Sequence, residues 1–392
     1  MRLLVAGGGT GGHVFPGIAM AEEVVGRHPK NDVVFVGTAR GLEAAVVPAA
    51  GFPIELIEVR GLKGKGILGV LAGLLLLPRA FLRSWSILRR WRPDVVVGVG
   101  GYASGPVVLA AWMMGIPTCV QEQNAIAGFT NRILGIFVKA AFTAFPEAGR
   151  YFARRKVHQL GNPIRRMLME NYMRPTAKAD GKLHLLVLGG SQGAHALNMR
   201  VIEALPHLAD LRDRLHLVHQ TGARDREYVE KGYRSVGFEP DVRDFIVDMS
   251  AAYAEGDLVV CRAGATTLAE LTVCKKPSIL IPFPAAADNH QVLNAQSLVD
   301  AGAALMIEER DLTGELLARE IRALLEDGPR RERMARAAGM MGNPQASSEI
   351  ASVCADLALR RWGSRQGQDR GPGFRPIRPD TAEAGPAGGA SR

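Results

Sequence analysis

The chain has 392 residues, 47% of them hydrophobic and 22% charged, with a formal net charge of +9. That length exceeds one ordinary core, so two domains are expected. The cysteines (Cys119, Cys261, Cys274 and Cys354) are scattered, which excludes a disulfide-stapled scaffold or a zinc finger and fits a reducing cytoplasm.

The first apolar run, Leu3–Ala6, reads as a strand that opens directly after Arg2, without a leader-like pattern. It is followed by Gly7-Gly8-Gly9-Thr10-Gly11-Gly12-His13 and an Ala-rich helical stretch. Glycines let backbone approach a ligand, and a helix start presents free N–H groups to anions. Such a turn alone also suits NAD or FAD. It departs from G-x-G-x-x-G, however, and the next strand, Val33–Val36, ends in Gly37-Thr38 without an acidic ribose ligand. His13 either hydrogen-bonds the loop or serves as a base, since a neutral imidazole at the positive end of a helix can accept a proton.

After a strand at Ile54–Val59 comes a stretch to Pro93 with eight basic residues (Arg60, Lys63, Lys65, Arg79, Arg83, Arg89, Arg90, Arg92) and no acid. Within it Ile67–Leu77 is wholly apolar, too short to cross a bilayer at roughly 20 residues, and Pro78 is expected to end it. Arg79–Trp91 then places Phe81, Leu82, Trp85 and Leu88 at helical spacing among arginines. The pattern suits either a buried core helix or shallow contact with an anionic membrane surface. Nucleic acid is not expected as a partner, because aromatic residues are few and no reader motif is present.

The strand Val95–Val99 leads into a third glycine turn. Gly100, Gly101, Tyr102 and Ser104 there are candidates to hold an acceptor diphosphate, or simply form a tight turn. Thr118–Gln121 ends in Glu122-Gln123-Asn124, polar groups at a carboxyl edge where ligands bind in parallel sheets. Glu122 is a candidate for acid/base work and Asn124 for a sugar contact; a plain polar loop is the alternative. Ala141–Ala144 completes the first half, and Gly161-Asn162-Pro163 marks a boundary.

The second half repeats the architecture. Its strands are expected at Leu183–Leu188, Leu215–His219, Val242–Ile246, Leu258–Cys261, Ser278–Ile281 and Ala304–Ile307. The first ends in Gly189-Gly190-Ser191-Gln192-Gly193. Cys261-Arg262-Ala263-Gly264 opens a helix whose Ala265, Thr266, Thr267, Leu268 and Ala269 offer N–H and hydroxyl groups to a diphosphate, while Glu270 suits two ribose hydroxyls. No D-x-D metal motif ends a strand, so leaving-group charge would fall to helix N-termini and basic side chains. Alternating strands and helices argue for parallel α/β domains, here two facing a cleft. The expected layout is 1–160, 161–342, a helix over 343–362 and a polar, disordered tail at 363–392.

Together GGGTGGHVFPGIA, RGLKGKG, GGYASGP, QEQNAIAG, GNPIR, GGSQGA, FIVDM, CRAGATTLAE and DNHQVLNA resemble the MurG family over about residues 1–360. The resemblance implies a GT-B fold of two Rossmann-like domains and an inverting transfer without metal or cofactor. The implied donor is UDP-GlcNAc. The implied acceptor is lipid I (undecaprenyl-pyrophosphoryl-MurNAc-pentapeptide), converted to lipid II for peptidoglycan at the cytoplasmic face of the membrane. It puts Thr10, Gly11 and Gly12 at the donor sugar and diphosphate, and His13 as the base. It also places Asn124, Arg165 and Gln291 on the donor, Ser191 by the diphosphate, Ile246 at the uracil, and Ala265–Glu270 at diphosphate and ribose. Gln121 stands where the family commonly has histidine, and Asn289-His290 replaces its more usual pair. Rival readings are another UDP-sugar enzyme of the same fold, such as a 2-epimerase, and a non-catalytic membrane scaffold.

Overall fold

The computed structural model describes residues 1–59, 67–166, 168, 181–190, 193–239 and 241–366. The RGLKGKG basic block from Arg60, Ser191, and the tail from 367 onwards lie outside these residues.

The first half folds as β1 (Arg2–Gly7), α1 (Gly11–Arg27), β2 (Asp32–Gly37), α2 (Glu43–Ala49), β3 (Ile54–Leu56), α3 (Ile67–Trp91), β4 (Val95–Gly100), α4 (Ser104–Met113), β5 (Thr118–Glu122), α5 (Phe129–Leu134), β6 (Ala140–Thr143) and β7 (Val157–Gln159). These strands form one parallel sheet in the order β3-β2-β1-β4-β5-β6-β7. β1 and β4 are buried almost end to end because helices cover both faces of the sheet, which is why they read as unbroken apolar runs.

The second half continues with β8 (Leu183–Leu188), α6 (His195–Ala204), β9 (Leu215–Gln220), α7 (Arg226–Ser235), β10 (Asp241–Arg243), α8 (Met249–Glu255), β11 (Leu258–Cys261), α9 (Ala265–Val273), β12 (Ser278–Leu280), α10 (His290–Asp300), β13 (Ala304–Met306), α11 (Gly314–Glu326) and α12 (Gly328–Met341). Its sheet is parallel too, ordered β10-β9-β8-β11-β12-β13. The last helix, α13 (Ala346–Gln366), returns to the first half, where Ile350, Ala351 and Cys354 join the core beside β1 and α1.

In each sheet the strand order reverses beside the first strand, between β1 and β4 and between β8 and β11. Ligands of open parallel sheets bind outside the carboxyl ends at such a point. The glycine turns after β1, β4 and β8, and the Gly264 turn after β11, all fall there.

Three sequence expectations need correction. Pro78 does not end a helix: α3 runs through it to Trp91, giving up only the hydrogen bond that the proline nitrogen lacks. The strand expected at 242–246 is Asp241–Arg243, because Phe245 and Val247 turn out to solvent around the buried Ile246. Val157–Gln159 adds an edge strand whose VHQ sequence carries no apolar pattern; pairing with β6 makes it a strand.

Candidate functional site

The first and third glycine turns interlock. The Gly8 amide donates to the Gly100 carbonyl at 3.3 Å, and Gly100 and Gly101 have φ of +96° and +77°. A Cβ at Gly101 would lie 2.4 Å from the Gly8 oxygen, and one at Gly100 would lie 2.9 Å from the His13 ring. Only glycine permits this approach, and the result is an imidazole seated on the backbone of the neighbouring turn.

His13 is the third residue of α1. Its Nδ1 lies 3.0 Å from the Gln123 Oε1, and Gln123 Nε2 donates to the Val99 carbonyl at 2.8 Å. Among the described residues no hydrogen bond engages His13 Nε2. Gln123 was not singled out from sequence; its position two residues past Gln121, on the same side of an emerging strand, was the available signal.

Glu122 is placed otherwise than a base requires. It is 1% exposed, and its carboxylate accepts from the amides of Asn124 (3.1 Å) and Gly128 (2.9 Å) and from Asn131 Nδ2 (2.9 Å). Those bonds fold the loop after β5. Asn124 instead faces the second half: Asn294 Nδ2 donates to its Oδ1 at 3.1 Å, while Asn294 Oδ1 accepts from the Ala125 amide at 2.8 Å. Asn294 is fully buried and joins the two halves at the cleft floor.

A second residue missed from sequence is Glu43. Its side chain is 1% exposed and lies under the first glycine turn, accepting from the Gly9 amide (2.6 Å), the Thr38 amide (2.8 Å) and the Thr38 hydroxyl (2.9 Å). Thr10, Gly11 and Gly12 follow this support into α1, whose N-cap makes no side-chain bond. Ser104 spends its hydroxyl on the Gly101 carbonyl at 2.9 Å, whereas Tyr102 is half exposed.

On the opposite side, α9 begins after Gly264 with no side-chain cap, so its first N–H groups are open to a ligand. The Thr266 hydroxyl there is buried without a hydrogen-bond partner among the described residues. Ala265 and Leu268 point into the core; from these positions, as from Thr267 and Ala269, the backbone is what a ligand can use. Glu270 has its carboxyl pushed up to about 7 by burial, against the Tyr253 hydroxyl, which donates to it at 2.9 Å, and the field of Arg165. Arg165 stacks 5.3 Å over the Phe15 ring of α1. Gln291 Oε1 accepts from the Phe283 amide at 2.9 Å, at the start of α10, and Ile246 is buried behind Phe245. α1 packs against α9, so the histidine-bearing and carboxyl-bearing helices border one cleft.

Two parallel-sheet halves with glycine turns at their switch points make up the two-domain arrangement of UDP-sugar enzymes of the GT-B fold. The family models described as Glycosyltransferase family 28 N-terminal domain and C-terminal domain match residues 3–143 and 184–350. The chain is 80% identical to UDP-N-acetylglucosamine–N-acetylmuramyl-(pentapeptide) pyrophosphoryl-undecaprenol N-acetylglucosamine transferase of Anaeromyxobacter dehalogenans (strain 2CP-1 / ATCC BAA-258), over 97% of this chain and 99% of that one. It is 60% identical to the protein of the same name in Myxococcus xanthus (strain DK1622), over 95% and 97%. The crystal structure of Acinetobacter baumannii MurG superposes with a TM-score of 0.75 at 30% identity, covering 91% of this chain and 99% of that one. The chain belongs to the MurG family of these transferases, with the GT-B fold.

Proposed function

We propose that this chain transfers GlcNAc from UDP-GlcNAc to the MurNAc 4-hydroxyl of lipid I, with inversion, and so makes lipid II for peptidoglycan. The donor lies on the half spanning 161–342, with uracil near Ile246, ribose on Glu270, and diphosphate against the start of α9 and the turn containing Ser191. Thr10, Gly11, Gly12, Asn124, Arg165 and Gln291 surround the transferred sugar and diphosphate. The acceptor pyrophosphate rests on the half spanning 1–160, near Gly100, Gly101, Tyr102 and Ser104. His13 Nε2 removes the proton from the 4-hydroxyl, whose oxygen bonds to the anomeric carbon. The bond from that carbon to the β-phosphate oxygen breaks with its electron pair on UDP, and the α9 N–H groups meet the charge. Glu122 is read as loop support, since its lone pairs are already engaged.

What carries this reading is the pairing, across one cleft, of a histidine whose Nε2 makes no hydrogen bond among the described residues and an uncapped helix start beside the half-buried Glu270 carboxyl. The name borne by the close relatives agrees with it. Membrane contact is proposed for the outer side of neighbouring helices α3, α4 and α5. Leu82, Trp112, Met113, Phe129, Ile133 and Ile136 are exposed there, with Arg79, Arg89 and Lys139 nearby in sequence, a composition suited to an anionic cytoplasmic leaflet. No helix among the described residues is long and apolar enough to span a bilayer.

The test is transfer of radiolabelled GlcNAc from UDP-GlcNAc to a synthetic lipid I analogue. Label should appear in the acceptor, and UDP should be released only when acceptor is present, unlike in an epimerase. His13→Ala should lower kcat by about 10²–10⁴; undiminished turnover removes His13 from the base role.

A further inference from the structure

We infer that Gln123 is a positioning residue that dictates which ring nitrogen of His13 carries the proton. The inference deepens the reading of His13 as the base and rests on it.

The Gln123 amide has no freedom to reverse. Gln123 is 1% exposed and sits where β5 emerges at the cleft. The group around its Nε2 consists of acceptors: the Val99 carbonyl at 2.8 Å, the Gln121 carbonyl at 3.4 Å and the Gln121 Oε1. Two of these are backbone oxygens, which only accept. Turning the amide over would set its oxygen against them and strand buried lone pairs. Gln121 is fully buried, donates through its own Nε2 to Asn162 Oδ1 at 2.9 Å and turns its Oε1 to Gln123; the Val99 carbonyl is the fixed acceptor that sets the Gln123 amide.

With the amide so fixed, Gln123 Oε1 is what faces His13 Nδ1 at 3.0 Å. An amide oxygen cannot donate, so Nδ1 must hold the hydrogen. In the neutral ring Nε2 is then bare, as a base needs. The isolated imidazole favours the opposite tautomer, so the protein has to impose this one. The ring face also rests against Gly100, at a distance that admits no Cβ, and the bond from Nδ1 to Gln123 is what tells its two edges apart. A histidine whose orienting partner is lost keeps its place in sequence but spends part of its time with the wrong nitrogen protonated.

The experiment uses the full-length protein with ¹⁵N-labelled histidine. Long-range ¹H–¹⁵N spectra report the protonation of each ring nitrogen, and the His13 signals are those lost in His13→Ala. In the neutral ring of the wild type, Nδ1 should show a protonated nitrogen and Nε2 a bare one. Gln123→Met keeps the length and packing of the side chain but offers no comparable acceptor. It should erase that pattern and lower kcat by about 10–100-fold, by analogy with the hydrogen-bond partners that fix the tautomer of metal-bound histidines. KM for UDP-GlcNAc should hold, which a general loss of structure would not allow. A wild-type His13 protonated at Nε2 overturns the inference, even if Gln123→Met does not fold. So does a Gln123→Met protein with unchanged spectrum and kcat. An inactive His13→Ala beside a silent Gln123→Met sinks this inference alone; a fully active His13→Ala sinks the base assignment while leaving the tautomer measurable.

Discussion

Glu43 shows why a glycine turn is more than its glycines. Dinucleotide-binding sheets carry an acid at the end of the second strand, directed at a ribose. Here the acid comes later, on α2, and folds back to bond Gly9 and Thr38. Its negative charge supports the turn from below, on the protein side of the cleft. Glu43→Ala would leave those donors without their acceptor. A loss of about 1.5–3 kcal/mol is expected for a charged hydrogen-bonded group, read as a lower denaturation midpoint, together with a lower kcat as the turn bearing His13 loosens. Glu270 presents the converse case, a carboxyl that burial holds up to about 7. Raised above its ordinary 4.5, it binds protons in the folded state that the unfolded chain releases. Stability of the unliganded protein should therefore be fullest below that ordinary value and fall as pH rises through about 7, and Glu270→Gln should flatten the fall. On the proposed ribose contact the carboxylate is the form that accepts from the sugar hydroxyls, so UDP affinity should rise over the same interval. Tyr253→Phe removes the hydroxyl that stabilises the charged form and should move that rise to higher pH, measurable by calorimetric titration of UDP.

Helix α3 carries the question that its sequence raised about membranes. The fold divides its faces: Ile87 and Leu88 are buried in the core, Phe81 and Trp85 pack against it, and Leu82 is 68% exposed. The absence of acids along the basic run is partly answered from another element. Glu55 on β3 receives Arg90, Arg83 at 3.7 Å and the Trp91 indole at 3.2 Å. Such exposed pairs contribute only about 0–1 kcal/mol, so these arginines can still turn to phospholipid headgroups. Leu82→Glu removes one apolar side chain from the proposed contact, where its burial contributes about 1.5–3 kcal/mol. Binding to phosphatidylglycerol vesicles should weaken by about tenfold or more, with turnover of a water-soluble lipid I analogue unchanged. Equal vesicle binding by both proteins would place the contact elsewhere.

At the scale of the molecule, the chain ties its second half back to its first. Asn343 Nδ2 donates to the Leu160 carbonyl at 2.8 Å, and Arg27 bonds Ser348 and, at 3.1 Å, Ser352. Arg361 donates to the Pro93 carbonyl at 3.0 Å, and Ile350 is buried against the first sheet. Truncation after Gly342 would uncover that core face. It should destabilise the first half by more than the about 1.5–3 kcal/mol that Ile350 alone contributes, seen as early proteolysis of residues 1–160, even though no part of α13 approaches His13 in sequence. Asn294 makes the complementary tie at the cleft itself, where the two binding halves must keep their spacing for in-line transfer.

Most strand positions, the glycine turns and the helix start after Gly264 were legible in the sequence, because buried parallel strands leave continuous apolar runs and tight backbone approaches demand glycine. The family was legible for the same reason: its motifs are the turns and helix starts into which those strands lead. What the sequence could not assign was the partner of each polar side chain. Glu122 and Glu43 are both acids near a glycine turn; only the folded chain directs both inward, one to the loop after β5 and the other beneath the turn after β1. Gln121 and Gln123 have no chemistry of their own, and neither becomes informative until Val99, Asn162 and His13 surround them. Hydrogen bonds depend on direction across contacts tens to hundreds of residues apart, whereas periodicity and turn chemistry act within a few residues; the local part of this protein is written along the chain, and the arrangement around His13 exists only once β1, β4 and β5 lie side by side in the first sheet.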